Sequence, residues 1–268
     1  MTSGSTEPKP PLVVLNGVSM SYGRGAAAVP AIEDISLDIQ RGEFIAVVGP
    51  SGCGKSSLMK LISGLHPTSA GRLTVDNQPV VKPLKSVGMA FQNSNLLPWR
   101  SCVDNVLLPL EIVPPHRQRI GRHRAEYKKK AEELLQSVGL TGFTEKFPWQ
   151  LSGGMQQRAS ICRALIHEPE ILMLDEPFGA LDAFTREELW CALRDIHAAR
   201  GVTVMLVTHD LREAVFLADT VYVMSNRPGR ILKKCEVTIP RPRKLEVTYT
   251  PTFQDIVHEL RSLIGGQH

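Results

Sequence analysis

The sequence predicts an α/β fold with a largely parallel sheet. Three observations predict it. Short, continuous apolar runs of strand length recur along the chain: FIAVV (44–48), ILML (171–174), TVMLV (203–207) and TVYVM (220–224). Segments with helical spacing lie between them: Leu58, Leu61, Ile62 and Leu65; Leu189, Leu193 and Ile196; and 211–218. Polar clusters follow three of the runs at their carboxyl ends, where open α/β sheets gather their ligands.

Each element has a local reason. Ile35, Leu37 and Ile39 alternate with Ser36, Asp38 and Gln40, the period of a half-buried strand. Arg41-Gly42-Glu43 makes a turn into 44–48, whose unbroken apolar run suits a strand buried on both faces. A glycine-rich loop and a helix follow, and Gly64 marks the helix stop. SNRPG (225–229) reads as a turn after the fourth run. From about Asn93 to His167 the periodicity is helical (Ala131, Leu134, Leu135, Val138), a helical insert in the α/β core. After Pro240 one amphipathic helix remains, carrying Phe253, Ile256, Val257, Leu260 and Ile264.

Composition narrows the classes. The 268 residues suffice for a substantial core, and 43% hydrophobic with 22% charged residues reads as globular. No apolar run approaches the roughly 20 residues of a membrane span. MTSGSTEPKPP lacks a signal-peptide core and is expected to be a disordered polar tail, leaving the chain in the cytosol. A net charge of +4 does not by itself demand nucleic acid. Five cysteines without a C-x-x-C pair support neither a disulfide framework nor a zinc site.

The loop GPSGCGKSS (49–57) matches the P-loop pattern in the required context, strand before and helix after. Gly49, Pro50, Ser51, Gly52, Cys53 and Gly54 leave the backbone N–H groups free to turn inward as an anion nest, and the helix N-terminus adds positive potential at the same point. Lys55 supplies a full charge for the β- and γ-phosphates of ATP. Ser56, with Ser57 behind it, offers a hydroxyl to Mg2+. Asp175 at the end of a neighbouring strand fits a carboxylate that holds Mg2+ through water, and Glu176 a general base for the attacking water. Cys53 sits in an electropositive nest, so its thiol is expected to be acidified, open to alkylation and protected by Mg-ATP.

LSGGMQQR (151–158) is a second anion cradle, with Ser152 as helix N-cap and Gly153 and Gly154 in the first turn. One nucleotide is already served. A spare cradle suggests a two-fold dimer in which each cradle closes on the partner's nucleotide.

With these motifs in view, residues 12–232 resemble the nucleotide-binding subunit of an ABC transporter. Residues 49–56 match the family's Walker A motif, ILMLDE its Walker B motif, and LSGGM its signature, commonly spelled LSGGQ; Met155 departs, while the serine and glycine donors are intact. The resemblance implies further roles. Gln92 after GMAF matches the Q-loop glutamine that touches Mg2+ and the permease interface. Asp182 in Ala180-Leu181-Asp182 matches the D-loop, and His209 in VTHD the switch histidine at the γ-phosphate. Tyr22 in SMSYG matches the aromatic that stacks on adenine. The longer strings NLLPWRSCVDNVLLPLE, EPFGALDAFTREELW and THDLREAVFLADTVYVMSNRPGRI resemble the importer ATPases of the nitrate, sulfonate and taurine group.

The resemblance implies a RecA-like core at 12–92 and 168–235 with an N-terminal antiparallel β part. It also implies a helical subdomain at 93–167 and an extension at 236–268, behind a tail at 1–11. It implies a homodimer docked on integral-membrane permease subunits at the cytoplasmic face of the membrane, served indirectly by an extracytoplasmic solute-binding protein, with no nucleic acid. The competing class is a soluble ABC ATPase acting on nucleic acid or the ribosome. Repair types carry a long coiled coil between the phosphate motifs, and translation factors carry two ATPase units; neither fits this chain. The basic run HRQRIGRHRAEYKKK (116–130) reads either as a solvated helix face or as a contact with an anionic membrane leaflet.

Overall fold

The computed structural model describes residues 10–23 and 25–266, so the tail expected at 1–11 falls almost wholly outside the described residues. The chain runs β1 (Val13–Tyr22), β2 (Val29–Ile39), β3 (Phe44–Val48), α1 (Lys55–Ile62), β4 (Ala70–Val75), β5 (Gln78–Pro79) and β6 (Val87–Ala90). It continues α2 (Cys102–Leu107), α3 (His116–Arg119), α4 (Arg124–Ser137), α5 (Gly153–Leu165), β7 (Ile171–Asp175), α6 (Ala183–Arg200) and β8 (Thr203–Val207). It ends α7 (Leu211–Leu217), β9 (Thr220–Met224), β10 (Ile231–Glu236) and α8 (Pro251–Gly265).

Two sheets organise these elements. An antiparallel sheet has the order β2-β1-β4-β5, and a second sheet the order β10-β9-β3-β8-β7-β6. In the second sheet only the β10–β9 pair is antiparallel. Its strands β3, β7, β8 and β9 are nearly continuous apolar runs because both of their faces are covered. Phe44, Ala46 and Val48 of β3 face a core shared with α2 and α4 to α8, whereas Ile45 and Val47 face a core shared with α1 and the antiparallel sheet. β7, β8 and β9 divide their residues between the two cores in the same alternation. Helix α1 lies between the sheets, burying Leu58, Met59, Leu61 and Ile62. That position carries the loop before it across the end of β3.

Between β6 and β7 the described chain is helical, as the periodicity predicts. Buried Asn105 holds this segment's entry in shape: its amide donates to the carbonyls of Leu97, Arg100 and Ser101 and accepts from the Leu97 N–H. Helix α5 lies tight on β6. A Cβ at Gly88 would stand 2.0 Å from the Ala164 carbonyl oxygen, so only glycine allows this approach. In the basic run, Arg124, Lys128 and Lys130 pair with Asp104, Glu145 and Glu168 of the same chain. Those pairings favour the solvated-face reading of 116–130.

Helix α8 packs on α7 and β9 through Phe253 and Leu260, both fully buried. The segment leading to it is fixed by Arg243. This guanidinium is 2% exposed and donates to the carbonyls of Val215, Phe216, Ala218, Val237 and Ile239. No helix among the described residues is long and apolar enough to cross a membrane.

Candidate functional site

The carboxyl ends of β3, β8 and β7 stand side by side, and their exits are tied together. The Thr208 N–H donates to the Val47 carbonyl, and the Glu176 N–H to the Val207 carbonyl. Three loops that are remote in sequence therefore open onto one edge.

After β3 the loop wraps the start of α1. Gly54 caps that helix with φ +111, in the left-handed region, and a Cβ there would meet the Ala31 carbonyl oxygen at 2.7 Å. Lys55 is buried, and its ammonium donates to the carbonyls of Gly49 and Pro50, both at 2.9 Å. Ser56 Oγ donates to Asp175 Oδ1 at 3.1 Å. Burial pushes the Asp175 carboxyl up and the Glu176 charge adds to this, while the Ser56 hydrogen bond and Lys55 pull it down.

Glu176 adopts φ +47, rare for a residue with a side chain, and its Oε2 lies 3.3 Å from His209 Nδ1. The Tyr22 hydroxyl is 3.1 Å from Ser57 Oγ, and its ring meets His66 edge-on at 5.3 Å. One pocket is lined by Tyr22, Ser51, Gly52, Gly54 to Ser57 and Glu176. A groove beside it is walled by Gly49, Pro50 and Ser51, by His209, and by α8.

The remaining expected residues lie elsewhere. Ser152 caps α5, accepting from the Met155 N–H at 3.3 Å, and Gly154 packs on Thr185 of α6. Neither they nor Gly153 line the pocket. Asp182 caps α6 by accepting from the Thr185 N–H, which holds its carboxyl below the usual range. Gln92 is exposed, with its amide beside Gly179 in the loop after β7.

One expectation is overturned. Cys53 is not an accessible thiol in the nest: it is 1% exposed and points into the core beneath the loop. Burial pushes its thiol up, and the opposing effect of Lys55 is smaller.

Two features escaped sequence reasoning. Arg227, in the SNRPG turn, lines the same pocket. Behind His209, buried Glu213 accepts from Thr208 Oγ1 at 2.5 Å, with Arg186 Nε 3.9 Å away. Arg186 also donates to the Leu181 carbonyl, so it spans the loops after β7 and β8. Nothing in either local pattern distinguishes these side chains from ordinary surface charges.

The geometry is that of a glycine-rich loop at a helix start, with a hydroxyl–carboxylate pair on one side and a glutamate–histidine pair on another. Comparisons with known proteins agree with it. The pattern of the family described as ABC transporter matches residues 32–179. The aliphatic sulfonates import ATP-binding protein SsuB of Bacillus licheniformis is 41% identical over 236 residues, 88% of each chain. The taurine import ATP-binding protein TauB of Yersinia pestis is 46% identical, covering 76% of this chain and 78% of its own. The nitrate import ATP-binding protein NrtD of Synechococcus elongatus is 46% identical, covering 81% and 77%. Among solved structures, a dimeric ATP-binding cassette in a post-hydrolysis state with ADP and Pi is 31% identical. It superposes with a TM-score of 0.72 over 85% of this chain and all of that one.

Proposed function

The chain belongs to the ABC transporter family, and from that premise we propose that it is the ATP-hydrolysing subunit driving an importer of nitrate, a sulfonate, taurine or a related small solute. The observation that carries this reading is the single pocket in which the P-loop, Tyr22 and Glu176 converge.

The residues take roles as follows. Backbone N–H groups of 49–54 cradle the phosphates, and Tyr22 presents its ring to adenine. Ser56 and Asp175 offer hard oxygen donors 3.1 Å apart, a set that fits Mg2+, with Gln92 as a further oxygen. When bound, Mg2+ neutralises charge on the phosphate oxygens. Glu176 takes the proton of the attacking water, and His209 holds that carboxylate and faces the γ-phosphate. Lys55 stabilises the charge on the transferring group.

Ser152, Gly153 and Gly154 do not line this pocket in their own chain. Their donors therefore serve a second copy, in a head-to-tail dimer with Asp182 and its loop between the two sites. In this reading 12–92 and 168–235 form the ATPase core, 93–167 the part that meets the permease, and 236–268 an extension packed on the core. The subunit works at the cytoplasmic face of the membrane, with permease subunits and, indirectly, a solute-binding protein.

The test is purification of the tagged chain from its own cells in mild detergent, with identification of what accompanies it. A multi-span membrane protein in equal copy number supports the reading. Ribosomes or nucleic acid without a membrane protein overturn it in favour of a soluble ATPase.

A further inference from the structure

We propose that Arg227 is a second phosphate-binding cation of the nucleotide pocket, delivered by the turn after β9; this rests on the ATP-binding reading above. The turn is rigid. The Ser225 N–H donates to the Arg230 carbonyl, and the Arg230 N–H returns to Ser225 Oγ, both at 2.9 Å. It is pinned to β2, because the Gly229 N–H donates to the Ala31 carbonyl at 2.9 Å and the Gly229 carbonyl accepts from the Glu33 N–H at 3.0 Å. It also lies directly against the P-loop: a Cβ at Gly229 would stand 2.2 Å from the Cys53 carbonyl oxygen.

On this support Arg227 Nε donates to the Pro30 carbonyl at 3.0 Å, which fixes the guanidinium at the pocket that Lys55 also lines. Its neighbour Arg230 is paired with Glu33 at 3.0 Å, whereas no carboxylate among the described residues forms an ion pair with Arg227. Charge then decides what it meets. The charged side chains lining the pocket are Lys55, Arg227 and Glu176. Lys55 and Glu176 offset one another, and a triphosphate brings several negative charges. A planar guanidinium with free donor edges matches phosphate oxygens. The inferred ligand contact is therefore the phosphate chain, not the base.

The experiment is equilibrium titration of the full chain with MgATP, MgADP and inorganic tripolyphosphate, in Arg227→Ala, Arg227→Gln and Arg227→Lys, beside Lys55→Ala. The Ala and Gln variants should raise Kd about tenfold for all three ligands, and Lys should recover part of it. The melting temperature should stay put, so that the raised Kd reads as a lost ligand contact and not as a lost fold. Wild-type affinity in both neutral variants overturns the proposal. So does a loss for ATP and ADP with none for tripolyphosphate, which would place Arg227 on the nucleoside. If Lys55→Ala also binds MgATP like the wild type, the ATP-binding reading of the P-loop falls, and this proposal with it; loss in Lys55→Ala alone removes only Arg227.

Discussion

His209 Nδ1 stands 3.3 Å from Glu176 Oε2, and each residue sits just past the end of one of two adjacent parallel strands. The pair exists because β7 and β8 are neighbours and because Glu176 accepts a left-handed backbone, a conformation that costs on the order of 1–3 kcal/mol. Such strain is retained where it aims a side chain. Glu176→Gln keeps the shape and removes the carboxylate proposed as the base. It should bind ATP as the wild type does and hydrolyse it about 100- to 10,000-fold more slowly. Phosphate release beside nucleotide binding checks this, and near-normal turnover would take Glu176 out of the role.

Gly54 and Gly52 separate two costs of a side chain in the P-loop. Both have positive φ, +111 and +75. A Cβ at Gly54 meets the Ala31 carbonyl oxygen at 2.7 Å, whereas one at Gly52 has nothing within 4 Å. Gly52→Ala should therefore cost only the backbone term, about 1–2 kcal/mol. Gly54→Ala must also push β2 away and should cost more, with loss of ATP binding. Urea melts of the two variants decide it; equal midpoints would show that the loop relaxes freely.

Cys53 gives a prediction opposite to the one its motif position suggests. Cys53, Cys102 and Cys162 are buried, while Cys191 and Cys235 are partly exposed. In the native chain a short pulse of a small alkylating agent should mark Cys191 and Cys235 first, read by peptide mass spectrometry, and Mg-ATP should change the Cys53 rate little. An early Cys53 adduct that Mg-ATP suppresses would return the thiol to the nest.

These contrasts show what the sequence could carry. β8 and β9 lie where the runs TVMLV and TVYVM place them, because a strand buried on both faces writes a continuous apolar word. The P-loop was legible because its chemistry is local. β1 was not: its register shifts between Leu15 and Ser21 break the period-two pattern, with Gly17 at φ +58 inside the irregular stretch. β10 was missed because it is a largely exposed edge strand carrying two lysines. The orientation of Cys53, inward and not toward the phosphates, depends on loop dihedrals that no residue-type pattern encodes. Arg227 reaches the site through hydrogen bonds to β2, on which the letters SNRPG are silent.

Glu213 yields a pH prediction whose sign can be worked out. It is 3% exposed, and burial is the main cause that pushes its carboxyl from the ordinary 4.5 to about 8. Asp210 and Glu176 push the same way; the Thr208 hydrogen bond and Arg186 oppose them. Between these values the folded chain holds a proton that the unfolded chain has released. The stability this group contributes is thus present below pH 4.5 and is lost as pH rises toward 8, by at most about 1.4 kcal/mol for each unit crossed. Glu213→Gln stays neutral throughout and can still accept from Thr208. Urea melts at pH 5.5, 7 and 8.5 should show the wild type losing more stability over that range than the variant. Parallel slopes would mean that Glu213 is ionised in the folded chain at neutral pH, held by Arg186, and would remove it as a source of pH dependence.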